Sequence, residues 1–281
     1  MIRKIFGSSK IIPGFLINFL GLQVCRLLLS SLVINISRRM SKYRKKKTLF
    51  VKKLESNGFL IKPFLNDNEL KIVKDICDEE IKNSRVIKRG KTIELICDNK
   101  VLMDRETKLI DILKNIGLID YFQSIEGLKI GLENLNMSIE RTQFGVPQDY
   151  DINRQWHVDT FASHYKAWIP LEDICDDNFP MKYLPRSHLI TLKRLFDEWV
   201  WSFKFKKGDY NISGVFNQSR RAKLNMNEIY DKESSILRAK AGSLIIADTS
   251  GFHRRGEGKT GSVRYWLRFG FRRSPFIFKF N

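Results

Sequence analysis

Gln155-Trp156-His157-Val158-Asp159-Thr160 decides the reading of this chain. Residues two apart on a strand point the same way, so His157 and Asp159 face one side with Val158 turned away. Downstream, Ala241-Gly242-Ser243-Leu244-Ile245-Ile246-Ala247-Asp248 reads as a turn entering a buried strand. The loop Thr249-Ser250-Gly251-Phe252 then delivers His253. The following run, Arg264-Tyr265-Trp266-Leu267-Arg268, alternates, which puts Arg264, Trp266 and Arg268 on one face. Two imidazoles and one carboxylate are the facial set that holds non-haem Fe(II) with positions left open. Arg264 lies eleven residues past the distal histidine, and its guanidinium fork can bind both oxygens of a second carboxylate. A lone His-x-Asp carries little weight. His253, on a loop after a buried strand, and the downstream Arg264 give it weight, because the chain has only four histidines: His157, His164, His188 and His253.

The surrounding sequence is globular, at 43% hydrophobic and 12% aromatic, and 281 residues suffice for a substantial core. Cys25, Cys77, Cys97 and Cys175 are far apart, form no zinc spacing, and read as free thiols. The net charge of +19 is unevenly placed. Residues 1–54 carry thirteen Lys/Arg and no acid, whereas the rest of the chain has 37 basic and 31 acidic residues. Basicity therefore belongs to the arm, which argues against a nucleic-acid-binding body. The one basic-aromatic patch, Lys204–Lys207 with Phe203 and Phe205, is weak.

Within the arm, residues 11–36 are strongly apolar with one charge, Arg26, and are followed by Arg38, Arg39, Lys42 and Arg44-Lys45-Lys46-Lys47. Three readings stay open: an interfacial helix with a polybasic collar on an anionic membrane, a single transmembrane helix, and a buried helix or targeting peptide. A central Arg costs a spanning helix roughly 2.5–3.5 kcal/mol. On a helical wheel Asn18, Gln23, Arg26 and Ser30 fall on one side, interrupted by Phe19, Leu22 and Val33. The expected organisation is a basic apolar arm over 1–47 and a catalytic domain over 48–281. That domain sits in the cytoplasm, at the inner face of a membrane if the arm docks there, with organelle targeting left open.

After the arm, Phe59–Phe64 reads as a short strand closed by Pro63, and Asn66-Asp67-Asn68-Glu69 as a helix N-cap with Leu70, Val73, Ile76 and Cys77 at helical spacing. A second helix over 106–124 is broken near Gly117. From Lys129 on, short runs at Met137–Phe144, Tyr165–Leu171, Met181–Leu184, Ser243–Asp248 and Arg264–Phe271 point to a barrel or sandwich. Residues 188–240 read as an insertion near the mouth of the site.

Three ordered motifs then carry a resemblance. They are Gln155–Thr160; Pro170-Leu171-Glu172-Asp173 with Tyr183-Leu184-Pro185-Arg186-Ser187-His188; and Ala241–Leu244 through His253 to Arg264. Together with Asn57-Gly58-Phe59-Leu60 they resemble the phytanoyl-CoA dioxygenase-like branch of Fe(II)/2-oxoglutarate-dependent oxygenases, over about 50–275 and not over the arm. Asn178-Phe179-Pro180 and Arg186 stand where that family has glycines.

The resemblance implies a mainly β chain with flanking helices (α+β), built on a double-stranded β-helix (jelly-roll, cupin-like) core. It implies His157, Asp159 and His253 as iron ligands, Arg264 on the distal carboxylate of 2-oxoglutarate, and O2 as co-substrate. The outcome is succinate, CO2 and a hydroxylated small-molecule, lipid or glycoconjugate substrate. A carboxylate at Asp159 blocks the position that a halide needs in related halogenases. A non-catalytic membrane-associated protein on a degenerate barrel and a nucleic-acid-directed oxygenase are the alternatives. Of the remaining candidates, Trp156 walls the site or fills the core. His164 and Lys166 touch a ligand or lie on a solvated loop, His188 is a structural hydrogen-bonder, and Arg268 and Asp248 sit beside the constellation.

Overall fold

A computed structural model describes residues 12, 14–43, 49–98, 107–146, 152–204, 221–222, 227–271, 273, 274 and 276. Arg44–Lys47 and the side chains of Phe203–Lys207 lie outside the described residues.

The strands are β1 (Phe59–Pro63), β2 (Arg85–Arg89), β3 (Thr92–Asp98), β4 (Asn136–Gln143), β5 (His157–Val158), β6 (Tyr165–Pro170), β7 (Met181–Tyr183), β8 (Arg221–Ala222), β9 (Ser235–Leu237), β10 (Ser243–Asp248), β11 (His253–Arg255) and β12 (Val263–Gly270). They pair antiparallel into two sheets, ordered β1-β10-β6-β12-β4-β3-β2 and β8-β5-β11-β7-β9. This is the expected mainly β architecture with flanking helices, a jelly-roll core of two facing sheets.

The central strands are buried on both faces for a reason visible in their sequences. β10 is Ser-Leu-Ile-Ile-Ala-Asp and buried throughout. Leu244 and Ile246 join the cluster under the helices, while Ile245 and Ala247 join a second cluster with Trp168, Tyr183, Leu237 and Trp266. On β12 the same alternation sends Tyr265, Leu267 and Phe269 to the helical side. Fully burying such a side chain contributes about 1.5–3 kcal/mol.

The helical layer comes from α1 (Phe15–Phe19), α2 (Leu22–Met40), α3 (Leu49–Asn57), α4 (Asp67–Glu80), α5 (Thr107–Asn115), α6 (Leu118–Glu126), α7 (Leu192–Lys204) and α8 (Asn227–Glu233). α4 starts where the sequence places it. Asn66 Oδ1 accepts from the Glu69 N–H and Glu69 Oε2 accepts from the Asn66 N–H, each at 2.9 Å, a reciprocal capping box. The break between α5 and α6 falls at Gly117, whose φ of 72° favours glycine. The four cysteines are free.

Two residues other than glycine adopt the conformation glycine favours. Phe179 (φ 56°) and Arg186 (φ 65°) are left-handed without being glycine. Phe179 is held there by packing, its ring 4.3 Å from that of Phe144.

α2 lies against the domain. Arg26 is buried, stacks over Phe161 (5.0 Å) and Phe276 (5.5 Å), and donates to Gln23 Oε1 at 2.9 Å. Arg38 reaches Glu126 at 3.4 Å and Ser163 Oγ at 3.2 Å. Burial pushes the Glu126 carboxyl above its ordinary range despite Arg38 and Arg273 nearby. No helix among the described residues is long and apolar enough to cross a membrane, so the transmembrane reading of 11–36 has no such helix behind it.

Candidate metal centre

β5 and β11 pair with His157 directly opposite His253, which brings together residues 96 positions apart in the chain. Their rings lie 4.4 Å apart between centroids. Asp159 follows β5 by one residue, and its backbone N–H donates to the Thr249 carbonyl at 2.8 Å, fixing the turn that aims its carboxylate. Asp159 Oδ1 is 3.9 Å from His157 Nε2 and Oδ2 is 3.7 Å from His253 Nε2. One donor atom from each residue lies within 4.8 Å of the others, and all three side chains are buried. Val158, on the opposite side, packs with Trp156, Leu184, Tyr230 and Phe252.

The other ring nitrogens are tied to the backbone. His157 Nδ1 is 2.7 Å from the Gln155 carbonyl and His253 Nδ1 is 3.0 Å from that of Gly251. A carbonyl only accepts, so each Nδ1 carries the proton and each Nε2 turns a lone pair inward, the arrangement typical of metal-ligating histidines. His253 begins a short strand rather than sitting in a loop, which holds it more firmly than the sequence suggests. The turn before it needs glycine: a Cβ on Gly251 would stand 2.1 Å from Tyr183 Oη. That hydroxyl donates to the Asp248 carbonyl at 2.9 Å.

The three residues open into a cavity of about 240 Å³ between the sheets. Arg264, Trp266 and Arg268 all line it, as their alternation on β12 requires. Arg264 is buried, donates to the Phe179 carbonyl, and lies over the rings of Trp266 (4.0 Å) and Phe144 (5.0 Å). The left-handed turn at Phe179 thus presents both a ring and a carbonyl to this guanidinium. Arg268 pairs with Glu140, which also accepts from Trp266 Nε1 at 3.0 Å. Burial raises the Glu140 carboxyl, but Arg268 and the Trp266 and Ser138 hydrogen bonds lower it further, so it stays ionised. Arg255 pairs with Glu94 at 3.4 Å.

Lys166 also belongs to this cavity. Its Nζ lies 2.6 Å from Asp159 Oδ2. The alternation that sends Tyr165, Ala167 and Ile169 of β6 to the helical core sends Lys166 and Trp168 inward, a signal present in the sequence. Glu94 and Glu140 were equally legible: Glu94 alternates with Ile93, Leu95 and Cys97 on β3, and Glu140 alternates with Met137 and Ile139 on β4.

Other candidates are structural. His164 Nδ1 is 3.2 Å from Thr249 Oγ1, and His188 Nε2 is 2.9 Å from the Glu55 carbonyl. Asp248 accepts from Ser163 Oγ, Ser250 Oγ and the His164 N–H. Burial raises its carboxyl, yet His188 and these hydrogen bonds bring it below its ordinary value. Trp156 is a core residue, edge-on to Tyr230 at 5.9 Å.

No family model matches the chain, and no curated protein matches it. Solved structures do resemble it. EctD from S. alaskensis in its apoform is similar with a TM-score of 0.51 at 9% identity, covering 79% of this chain and 75% of that one. The epimerase SnoN in complex with Fe3+, alpha ketoglutarate and nogalamycin RO has a TM-score of 0.49 at 13% identity, covering 80% and 85%. The non-haem alpha ketoglutarate-dependent carbocyclase SnoK from nogalamycin biosynthesis has a TM-score of 0.48 at 14% identity, covering 78% and 81%. At 9% identity the likeness to EctD shows the fold alone.

Proposed function

We propose that this chain is an Fe(II)/2-oxoglutarate-dependent dioxygenase that hydroxylates an unactivated C–H of a small-molecule, lipid or glycoconjugate substrate. The observation that carries the reading is the convergence of His157, Asp159 and His253, with both Nδ1 atoms committed to carbonyls. That donor set fits a borderline divalent ion such as Fe(II), and folding alone gives no reason to bury it. Bound there with 2-oxoglutarate and O2, the iron supplies oxidation of an unactivated C–H, with succinate and CO2 as by-products.

The chain's own residues do the rest. Arg264 offers a charged fork, flanked by Trp266 and Phe144, to the far carboxylate of the co-substrate. Lys166 holds Asp159 in one orientation, as outer partners of metal ligands do. With Arg254 paired to Asp231 and Glu257, the cavity lining carries four other cations (Lys166, Arg255, Arg264, Arg268) against three carboxylates (Glu94, Glu140, Asp159), a balance that favours an anionic occupant. Residues 48–281 form the catalytic unit in this reading, and the cytoplasm is its compartment.

The test is turnover. Purified protein with Fe(II), ascorbate, O2 and 2-oxoglutarate is incubated with a metabolite and lipid extract, and products are compared by mass spectrometry. The expected result is succinate release together with a product heavier by one oxygen, both absent in Asp159→Ala. Succinate release equal in wild type and Asp159→Ala contradicts the proposal.

A further inference from the structure

α2 is inside out. Its side chains turned towards the protein include Gln23, Arg26, Ser30, Ser37 and Arg38, five of the eight that are buried. Its outward stripe runs Cys25, Leu28, Leu29 and Leu32 at helical spacing, and is exposed. A helix on a water-soluble surface has the reverse arrangement. Arg26, the charge that weighs against a membrane-spanning helix in the sequence, is on the protein side, stacked on Phe161 and Phe276.

The exposed apolar surface extends beyond α2. On α1, Phe15, Leu16, Phe19 and Leu20 face outward, Leu20 at 74% exposure. α7 continues it with Leu192 (86% exposed) and Phe196 (60%). α1 and α7 join directly: Phe19 lies 5.7 Å from Trp199, Trp199 lies 5.8 Å from Phe196, and Trp199 Nε1 donates to the Phe19 carbonyl at 2.8 Å. Contiguous apolar patches of this kind mark interaction sites.

Charge selects the partner. The α1 and α2 parts of the patch sit in a stretch of 54 residues with no acid, α2 ends with exposed Arg39 and, just beyond it, Lys42, and α7 carries Lys193 and Arg194 against Asp197 and Glu198. A second copy of this chain would bring one acid-free arm against another, because a twofold interface pairs a patch with itself. An anionic lipid surface would instead complement it. We infer that α1, the outward face of α2 and the Leu192–Phe196–Trp199 face of α7 form a one-sided docking surface for an anionic bilayer, lying in the interface without crossing it. The inference does not depend on the metal reading. Two of the docking elements, α2 and α7, press on residues beside the metal centre: Arg26 on Phe161, two residues past Asp159, and Trp201 on Phe252, next to His253, with rings 5.9 Å apart.

Co-sedimentation of the full-length protein with vesicles tests this, using phosphatidylcholine alone or mixed with phosphatidylserine. Wild type is expected to sediment with the mixed vesicles, less at high salt. Leu28→Glu with Leu32→Glu, and separately Phe196→Glu, should each lower partitioning at least about tenfold with an unchanged melting midpoint. Arg39→Glu with Lys42→Glu should lower it by roughly fivefold or more per residue, and only on phosphatidylserine. Wild type remaining in the supernatant with both vesicles overturns the inference. So does wild-type-like sedimentation of the folded Glu variants, or their only effect being dissociation of a lipid-free dimer.

Discussion

β12 has two unlike faces. Tyr265, Leu267 and Phe269 point outward and are sealed beneath α3 to α6 in one apolar cluster, whereas Arg264, Trp266 and Arg268 point inward and line the cavity. The outward face follows from the hydrophobic effect and would serve any jelly roll. The inward face does not: buried charges cost several kcal/mol each to desolvate, and well-packed apolar residues would often serve stability as well. On the proposed function, stability and ligand binding fall to opposite sides of the same strand, and substitutions should separate them.

The largest effect on stability is expected outward. Leu267→Ala should lower the unfolding free energy by about 2–5 kcal/mol, read from denaturant melts, while Fe(II) affinity of the folded protein stays within twofold. A matched loss of metal binding would show that the two faces are coupled. Inward, Arg264→Met should leave the melting midpoint nearly unchanged and raise the KM for 2-oxoglutarate. Losing a charged hydrogen-bonding partner costs about 1.5–3 kcal/mol, roughly ten- to 150-fold. An unchanged KM would remove Arg264 from co-substrate binding.

Acid sensitivity sharpens the comparison, because Glu257 supports the β11 edge. Burial raises its carboxyl, but the Lys182 and Arg254 hydrogen bonds lower it further, to about 2. Its contribution is therefore present above the unfolded value of about 4.3 and is lost as pH falls from there towards 2. Glu257 is largely exposed, so the contribution is under about 1 kcal/mol after screening. Glu257→Gln should flatten the stability profile across that window, measured by urea midpoints at each pH. The smallest effect is a gain: Arg186→Gly should raise stability by a few tenths to about 1 kcal/mol by relieving the left-handed backbone.

Alternation made most of the inward face legible in the sequence. It placed His157 with Asp159 and Arg264 with Trp266 and Arg268, and the strand runs from Met137 to Phe271 match β4, β6, β7, β10 and β12. The same rule applied to β6 and β3 would have turned Lys166, already a candidate, into the cavity and brought in Glu94. Three features were not readable, because they depend on contacts distant in sequence. The pairing of His253 with His157 needs the sheet register. The pinning of Arg264 by the Phe179 carbonyl needs a left-handed turn at a residue that rarely makes one. On α2 a helical wheel finds the polar side, but only Phe161, Glu126 and Glu198 across the fold show that this side turns inward.

The most direct test of the central claim is an anaerobic titration of the protein with Fe(II) and then 2-oxoglutarate, followed by visible absorption. The account predicts one equivalent of Fe(II), a weak charge-transfer band on adding 2-oxoglutarate, and neither in His157→Ala or Asp159→Ala. Fe(II) binding by those variants as tight as by wild type would contradict it.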